Sequence, residues 1–483
     1  MRDLAFVGYL LALLALGFRR PFLFVLAYAY VDIVSPQHLS YFLLNAVPLS
    51  MIVAALAIGG WALADDKKGF AIAPRQWLMI LLLAYAGFTT LHADVPDHAP
   101  EKWEWVWKSM VWAIFLPATL RTRLRVEAYL LFMTLSAAAI IIVGGIKTAA
   151  SGGGYGALNL MVSSNSGLYE GSTISTVAIA IIPIILWLAR HGTIYPADWR
   201  VKLFAANLVF ACLLIPVGTE ARTGLVCIGV LGVLMLRNVR RRLPYMAGVA
   251  LAVAVAVPLL PQSYAERMST IQNYQADNSA STRLAVWKWT WDYAKAHPLG
   301  GGFEAYRQNQ LQVHTVDAKG AGPVQEVDWR VQADRARAYH SSYFEMLGEQ
   351  GFPGLGLFLL IHAIGLWRME AVRRRYRKRD GEEGWIAPLA TALQGAQLIY
   401  LVGSLFVGIA FQPFVWMLIA VQIGFDALVR RRNEPSGRAV KRPACSDTST
   451  IPGPASPASA AAAIGNISIP TAAASPTATR STG

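Results

Sequence analysis

The feature that most restricts this chain is a succession of apolar runs, each about 17 to 25 residues long and separated by short polar connections. They lie at about 43–64, 75–91, 105–119, 126–146, 173–190, 203–217, 222–237, 244–261, 342–367, 386–408 and 412–429. Two shorter pieces, about 4–18 and 21–34, precede them and are divided by Arg19-Arg20-Pro21. Inside a bilayer each backbone N–H and C=O must be satisfied within protein, and short of a closed barrel only helices achieve this. A chain of 483 residues that is 55% hydrophobic and 15% charged is too apolar for an ordinary soluble protein. The expectation is an all-α polytopic integral membrane protein with about 12 transmembrane helices and one large extramembrane loop.

The net charge of +14 does not point to nucleic acid, because its Lys and Arg residues cluster between apolar runs. Basic clusters occur at Lys67 to Arg75, Arg121 to Arg125, Arg190 to Lys202, Arg237 to Arg242, Arg373 to Arg379 and Arg430 to Arg432, on alternate connections. The positive-inside rule puts these in the cytoplasm and the polar segments 92–104, 147–172 and 262–341 outside. The resulting division is 1–261, N-terminal membrane helices with short outer loops; 262–341, a large outer loop; 342–432, C-terminal membrane helices; and 433–483, an Ala/Pro/Ser/Thr-rich cytoplasmic tail expected to be disordered. Residues 4–18 run into a second apolar piece without a small-residue cleavage site, so no cleavable signal peptide is expected. Cys212, Cys227 and Cys445 form neither a disulfide framework nor a CxxC metal site.

Chemistry concentrates on the outer side. His340 precedes Ser342-Tyr-Phe-Glu345, which fits a capping box opening the next membrane helix. A helix N-terminus disfavours imidazolium, and a neutral imidazole can accept a hydroxyl proton. In Gly218-Thr-Glu-Ala-Arg222-Thr-Gly224, Glu220 and Arg222 interrupt apolar sequence. Arg222, at the start of its run, can serve a phosphate together with helix N–H groups, or pair with Glu220. Lys147 begins a Gly/Ser/Asn-rich stretch, 147–175, in which Asn165 is a candidate glycan contact. Trp287 and Trp291 share a helical face and read either as an interfacial anchor or as a sugar-stacking surface. His92, Asp94, Asp97 and His98 read as a short exposed loop rather than a metal site, so neither metal nor cofactor is expected.

Three stretches together resemble the bacterial O-antigen ligase and polymerase family of polytopic glycosyltransferases. They are Gly218 to Gly224; Arg283 with Ala285-Val-Trp-Lys-Trp to Pro298-Leu-Gly-Gly-Gly-Phe303; and Ala338-Tyr-His340-Ser-Ser-Tyr-Phe-Glu345 with Gly348, Gly351 and Gly354. The opening 35 residues are similar to an exosortase-associated O-glycosylation ligase subgroup. Residues 163–172, Ser-Ser-Asn-Ser-Gly-Leu-Tyr-Glu-Gly-Ser, depart from the family pattern. The resemblance implies a GT-C-like membrane protein of the bacterial inner membrane with a periplasmic active site and a large periplasmic loop. It implies transfer of a glycan from undecaprenyl diphosphate to a hydroxyl of lipid A-core in lipopolysaccharide biosynthesis, by metal-independent inverting chemistry. On this resemblance Arg222 binds the donor diphosphate, His340 orients or deprotonates the acceptor hydroxyl, and Arg283, Arg337, Lys147 and Asn165 are further substrate-binding candidates. Polymerization and protein O-glycosylation with the same donor are alternatives, and a transporter is a distant one.

Overall fold

The structure, a computed structural model, describes residues 2–67, 71–153, 168–237, 278–319 and 326–433. The expected run 244–261, the candidate Asn165 and the tail from 434 onward lie outside the described residues. Among the described residues nine helices longer than ten residues precede the polar segment: α1 Arg2–Arg19, α2 Phe22–Val34, α3 Leu49–Ala64, α4 Pro74–Leu91, α5 Ala99–Phe115, α6 Arg123–Ser151, α7 Gly171–His191, α8 Trp199–Gly218 and α9 Arg222–Arg237. Then come α10 Asn278–Ala296, strands β1 Gln310–Lys319 and β2 Glu326–Arg335, and helices α11 Ser342–Tyr376, α12 Ile386–Gly403 and α13 Pro413–Asn433.

Local chemistry sets several helix ends. The Thr122 hydroxyl accepts from Arg125 N–H at 3.2 Å to start α6, and Gly152 ends it in the left-handed conformation, at φ 76°. Glu170 accepts from the N–H groups of Ser172 and Thr173 at the start of α7. Six described segments are long and apolar enough to cross a membrane: Arg123–Ser151, Gly171–His191, Trp199–Gly218, Ser342–Tyr376, Gly381–Gly403 and Pro413–Asn433. Phe22–Val34 and Leu49–Ala64 are apolar but shorter. At 1.5 Å per residue α2 spans about 20 Å, less than the roughly 30 Å hydrocarbon layer. Helix α13 is the most enclosed of the six, with Phe414, Trp416 and Phe425 fully buried. It packs against α5, α11 and α12, while α12 lies along α7, and α9 packs on both.

The described residues are nearly all helical, as expected, and the polar segment adds one exception. β1 and β2 form an antiparallel hairpin in register from Gln310 opposite Arg335 to Lys319 opposite Glu326. Its source is a two-residue alternation, Leu311, Val313 and Thr315 in one strand and Val327, Trp329 and Val331 in the other, embedded in polar residues. The remainder of the segment builds a small core from Val286, Leu311 and Tyr339, flanked by Trp287, Trp289, Tyr306 and Phe344.

Helix α11 is broken. Gly351 takes φ 63°, ψ −166° between Gln350 and Phe352, two residues before Pro353. The backbone of the loop after α10 fits into the break. Gly301 N–H donates to Gly348 C=O at 3.0 Å, Gly302 N–H to Glu349 C=O at 2.9 Å, and Phe352 N–H to Pro298 C=O at 3.0 Å. These bonds satisfy groups that the interrupted helix cannot, each contributing about 1 kcal/mol net and far more if left unpaired in an apolar setting. Gly300, at φ 89°, meets the 349–351 backbone so closely that a Cβ on either Gly300 or Gly351 would collide with main chain. On the other side the loop is fixed by Tyr85, whose hydroxyl donates to Leu299 C=O at 2.7 Å, and by Asp94 N–H, which donates to Gly301 C=O at 2.8 Å.

Gly351→Ala is therefore expected to lose at least about 1–3 kcal/mol from backbone strain alone, seen as a lowered melting temperature in detergent. Gly356→Ala, in the same helix but with open space around its added methyl, should be neutral or mildly stabilising.

Candidate active site

His340 sits in a short segment, 336–341, whose path is dictated from three sides. Asn309, fully buried, accepts from Arg337 N–H at 2.9 Å, donates from Nδ2 to Arg337 C=O at 2.7 Å, and through its own C=O takes Ala336 N–H at 3.1 Å. The Trp287 indole donates to Tyr339 C=O at 2.9 Å and stacks on Phe344, with ring centres 5.0 Å apart and planes 8° from parallel. Tyr339 is buried against Tyr306 and the bare backbone of Gly348. Ala336 and His340 are both left-handed, at φ 56° and 49°, a conformation uncommon outside glycine that the surrounding bonds hold in place. The imidazole is consequently presented at the surface between a buried tyrosine and a buried serine.

On the C-terminal side Ser342 N–H donates to Ser404 C=O at 2.9 Å, and the Ser342 hydroxyl bridges Val407 C=O, 3.0 Å, and Ile409 N–H, 2.9 Å. The capping box expected from Ser342 to Glu345 is not formed. Ser341 is the N-cap and makes no side-chain capping bond, because the hydroxyl of Ser342 is committed to the 404–409 turn and the carboxylate of Glu345 points elsewhere. The placement of His340 immediately outside the helix stands as expected.

Partial burial and the positive charges of Arg283 and Arg337 hold the His340 imidazole below the ordinary histidine range, against an opposing pull from Glu170. The three charged side chains around this imidazole thus come from three parts of the sequence: Glu170 from the cap of α7, Arg283 from α10 and Arg337 from the segment before α11.

Arg222 reaches the same end of the bundle by a second chain of contacts. The Ser342–Ser404 bond ties α11 to the end of α12, where Gly403 lies against Thr176 of α7 and Cys227 of α9. At the adjacent residue the Ser175 and Thr219 hydroxyls share a 2.9 Å hydrogen bond, and Gly224 admits Pro216 and Ser175 where a side chain would collide. The starts of α7, α9 and α11 and the finish of α12 therefore gather at one end. Glu220, at φ 52°, makes the turn between α8 and α9 that puts Arg222 at the head of its helix. Lys147 is exposed in the last turns of α6, which continues to Ser151, so the first residues of the Gly/Ser/Asn-rich stretch are helical. Trp287 is spent on Phe344 and Tyr339, which favours neither interfacial reading, whereas Trp291 is half-exposed beside Phe352 and Lys295. Asp94 serves as acceptor for the Tyr293 hydroxyl, which ties the 92–98 loop to α10.

A buried ion cluster under the site escaped the sequence reading. Lys102 Nζ lies 2.7 Å from Glu345 and 2.8 Å from Glu349, one helical turn apart on α11. Glu345 also accepts from Ala410 N–H at 3.0 Å and Glu349 from Glu304 N–H at 3.1 Å. The i, i+4 carboxylates among apolar neighbours were the available signal. The cluster fastens α5 and the 410 turn to the segment of α11 that carries the site.

Among families of known sequence, one described as O-Antigen ligase matches residues 207–359, and a family of unknown function (DUF5935) matches residues 1–193. A comparison with curated proteins found no match.

Two expectations follow. The His340 titration, followed by NMR of isotope-labelled histidine, should have its midpoint below about 6.5 and move upward in Arg283→Gln, since a neighbouring positive charge favours the neutral ring; Glu170→Gln should move it the other way. Lys102→Met, which leaves two carboxylates buried without their cation, should destabilise the protein by about 3–5 kcal/mol, measured by thermal unfolding.

Proposed function

We propose, from the premise that this chain belongs to the O-antigen ligase family, that it is a membrane glycosyltransferase moving a glycan from undecaprenyl diphosphate to a hydroxyl of lipid A-core. The observation that carries this reading is a histidine in a constrained conformation, among arginines drawn from separate elements whose charges favour its neutral form. In this proposal about 12 helices cross the inner membrane, residues 262–341 face the periplasm, and the end bearing His340 and Arg222 is the outer one.

The chemistry is a single displacement. An acceptor hydroxyl delivers its proton to the free imidazole nitrogen of His340 while its oxygen forms a bond to the anomeric carbon. The bond from that carbon to the phosphate oxygen breaks, and undecaprenyl diphosphate leaves with the electron pair. Attack opposite the leaving group inverts the anomeric configuration. The developing charge on the diphosphate is met by guanidinium groups, Arg222 foremost and Arg283 or Arg337 with it, whose forked N–H donors suit phosphate oxygens. Lys147 and Asn165 are assigned to outlying glycan contacts. The proposed reaction calls on no metal, and activity abolished by chelation and restored by one divalent ion would overturn that part.

His340→Ala should lower turnover on the order of 10²- to 10⁴-fold with donor binding retained, whereas Arg222→Ala should weaken donor binding. Purified protein supplied with lipid-linked glycan and, in separate reactions, lipid A-core, a Ser/Thr peptide or a second lipid-linked glycan tests the acceptor. Transfer to lipid A-core is expected. Transfer only to the peptide or the second glycan would replace it with protein glycosylation or polymerization, and wild-type turnover by His340→Ala would remove the general base.

A further inference from the structure

The helices that gather at the His340 end also share their other end, and a cavity of about 640 Å³ lies there. Its walls come from the last turns of α7, α9 and α11 and the first turns of α12. α7 is 21 residues long, so this cavity is about 30 Å from the candidate active site along the helix axis. The two sites are distinct.

Its lining has two parts of opposite character. One wall is apolar, with Leu186 and Trp187 of α7 facing Leu234 and Met235 of α9. The rim carries five arginines, Arg190, Arg237, Arg373, Arg377 and Arg379, with His191 and a single carboxylate, Asp380. Glu370 engages Arg237 and Arg373, each at 2.8 Å or closer, and Glu383 engages Arg379 at 2.7 Å. Arg190 and Arg377 make no ion pair among the described residues and stand exposed at the mouth. Counting Asp380, Glu370 and Glu383 against the five arginines leaves an excess of two positive charges beside an apolar wall.

An excess of guanidinium charge alone would suit any anion, and an apolar wall alone any hydrocarbon. Their conjunction at the end of a membrane-length bundle selects a molecule with both parts. We infer that this cavity binds an anionic phospholipid, the phosphate of its headgroup between Arg190 and Arg377 and the upper part of an acyl chain along Leu186, Trp187, Leu234 and Met235. Arginine forks pair two phosphate oxygens at once, and basic recesses between membrane helices are suited to anionic headgroups. The inference requires only that the bundle sits in a membrane and is independent of glycosyl transfer.

The test uses the full chain purified in detergent and native mass spectrometry with phosphatidylglycerol or phosphatidylcholine of identical acyl chains. Wild type should retain phosphatidylglycerol preferentially. Arg190→Gln/Arg377→Gln should lower that retention on the order of tenfold without changing phosphatidylcholine, and Arg190→Lys/Arg377→Lys should keep most of it. Arg375→Gln/Lys378→Gln removes equal charge from the same end outside the cavity wall and should leave retention unchanged. Equal retention of the two lipids by wild type, which needs no variant to fold, would overturn the inference. So would a loss in the Arg375/Lys378 control as large as in the cavity variant, or displacement of phosphatidylglycerol by millimolar inorganic phosphate, which would mark a site for the free anion.

Discussion

The arrangement around His340 depends on an exchange of backbone hydrogen bonds between the break in α11 and the glycine-rich turn after α10. A helix interrupted in an apolar setting leaves carbonyl and amide groups without partners, a cost of several kcal/mol for each. Gly301, Gly302 and Pro298 supply those partners, and the two main chains come close enough to do so only because Gly300 and Gly351 carry no Cβ at the crossing. The exchange fixes the polar segment to the membrane helices. Trp287 on Phe344 and Asn309 on Arg337 then extend that fixed geometry outward to the imidazole.

The same exchange explains why glycines recur at 300–302 and at 348, 351 and 354. Gly300 and Gly351 need left-handed backbone, Gly348 accepts the Tyr339 ring, and Gly354 lies against the Gln350 side chain. What reads in sequence as two separate loose motifs is one interface. The long apolar runs were legible because hydrocarbon permits few solutions, and α6, α7 and α8 fall close to the boundaries that periodicity and charge suggest. His340 was legible as a polar residue on the threshold of a helix, and Arg222 as a charge where apolar sequence should continue. The hairpin was not, since ten-residue alternations in a charged segment compete poorly with the stronger helical signals on either side. Nor was the role of Glu345. Its spacing from Ser342 satisfies a local capping pattern, but Lys102, 243 residues away in sequence, offers a charged partner that outweighs a cap. Asn309 was illegible for a related reason, because a lone asparagine acquires meaning only when the chain returns beside it.

Lys102, Glu345 and Glu349 illustrate how charge under a site can organise without reacting. Two carboxylates a turn apart on α11 repel until an ammonium from α5 is inserted between them. Each also receives a main-chain N–H from a different loop, so one cluster orients four segments. Burial makes the arrangement intolerant of partial loss, since removing any member leaves the others uncompensated.

The discontinuity at Gly351 has a mechanical side as well. Unbroken, a 35-residue helix would be about 52 Å long, well beyond the thickness of hydrocarbon, and would carry any lean of its membrane portion straight to its tip. Because the first ten residues are clamped instead to the turn at 298–302, the bearing of that short piece is set by the turn and not by the longer piece that follows Gly351. The orientation of one imidazole is thereby tied to a glycine turn and not to the long axis of the helix it precedes.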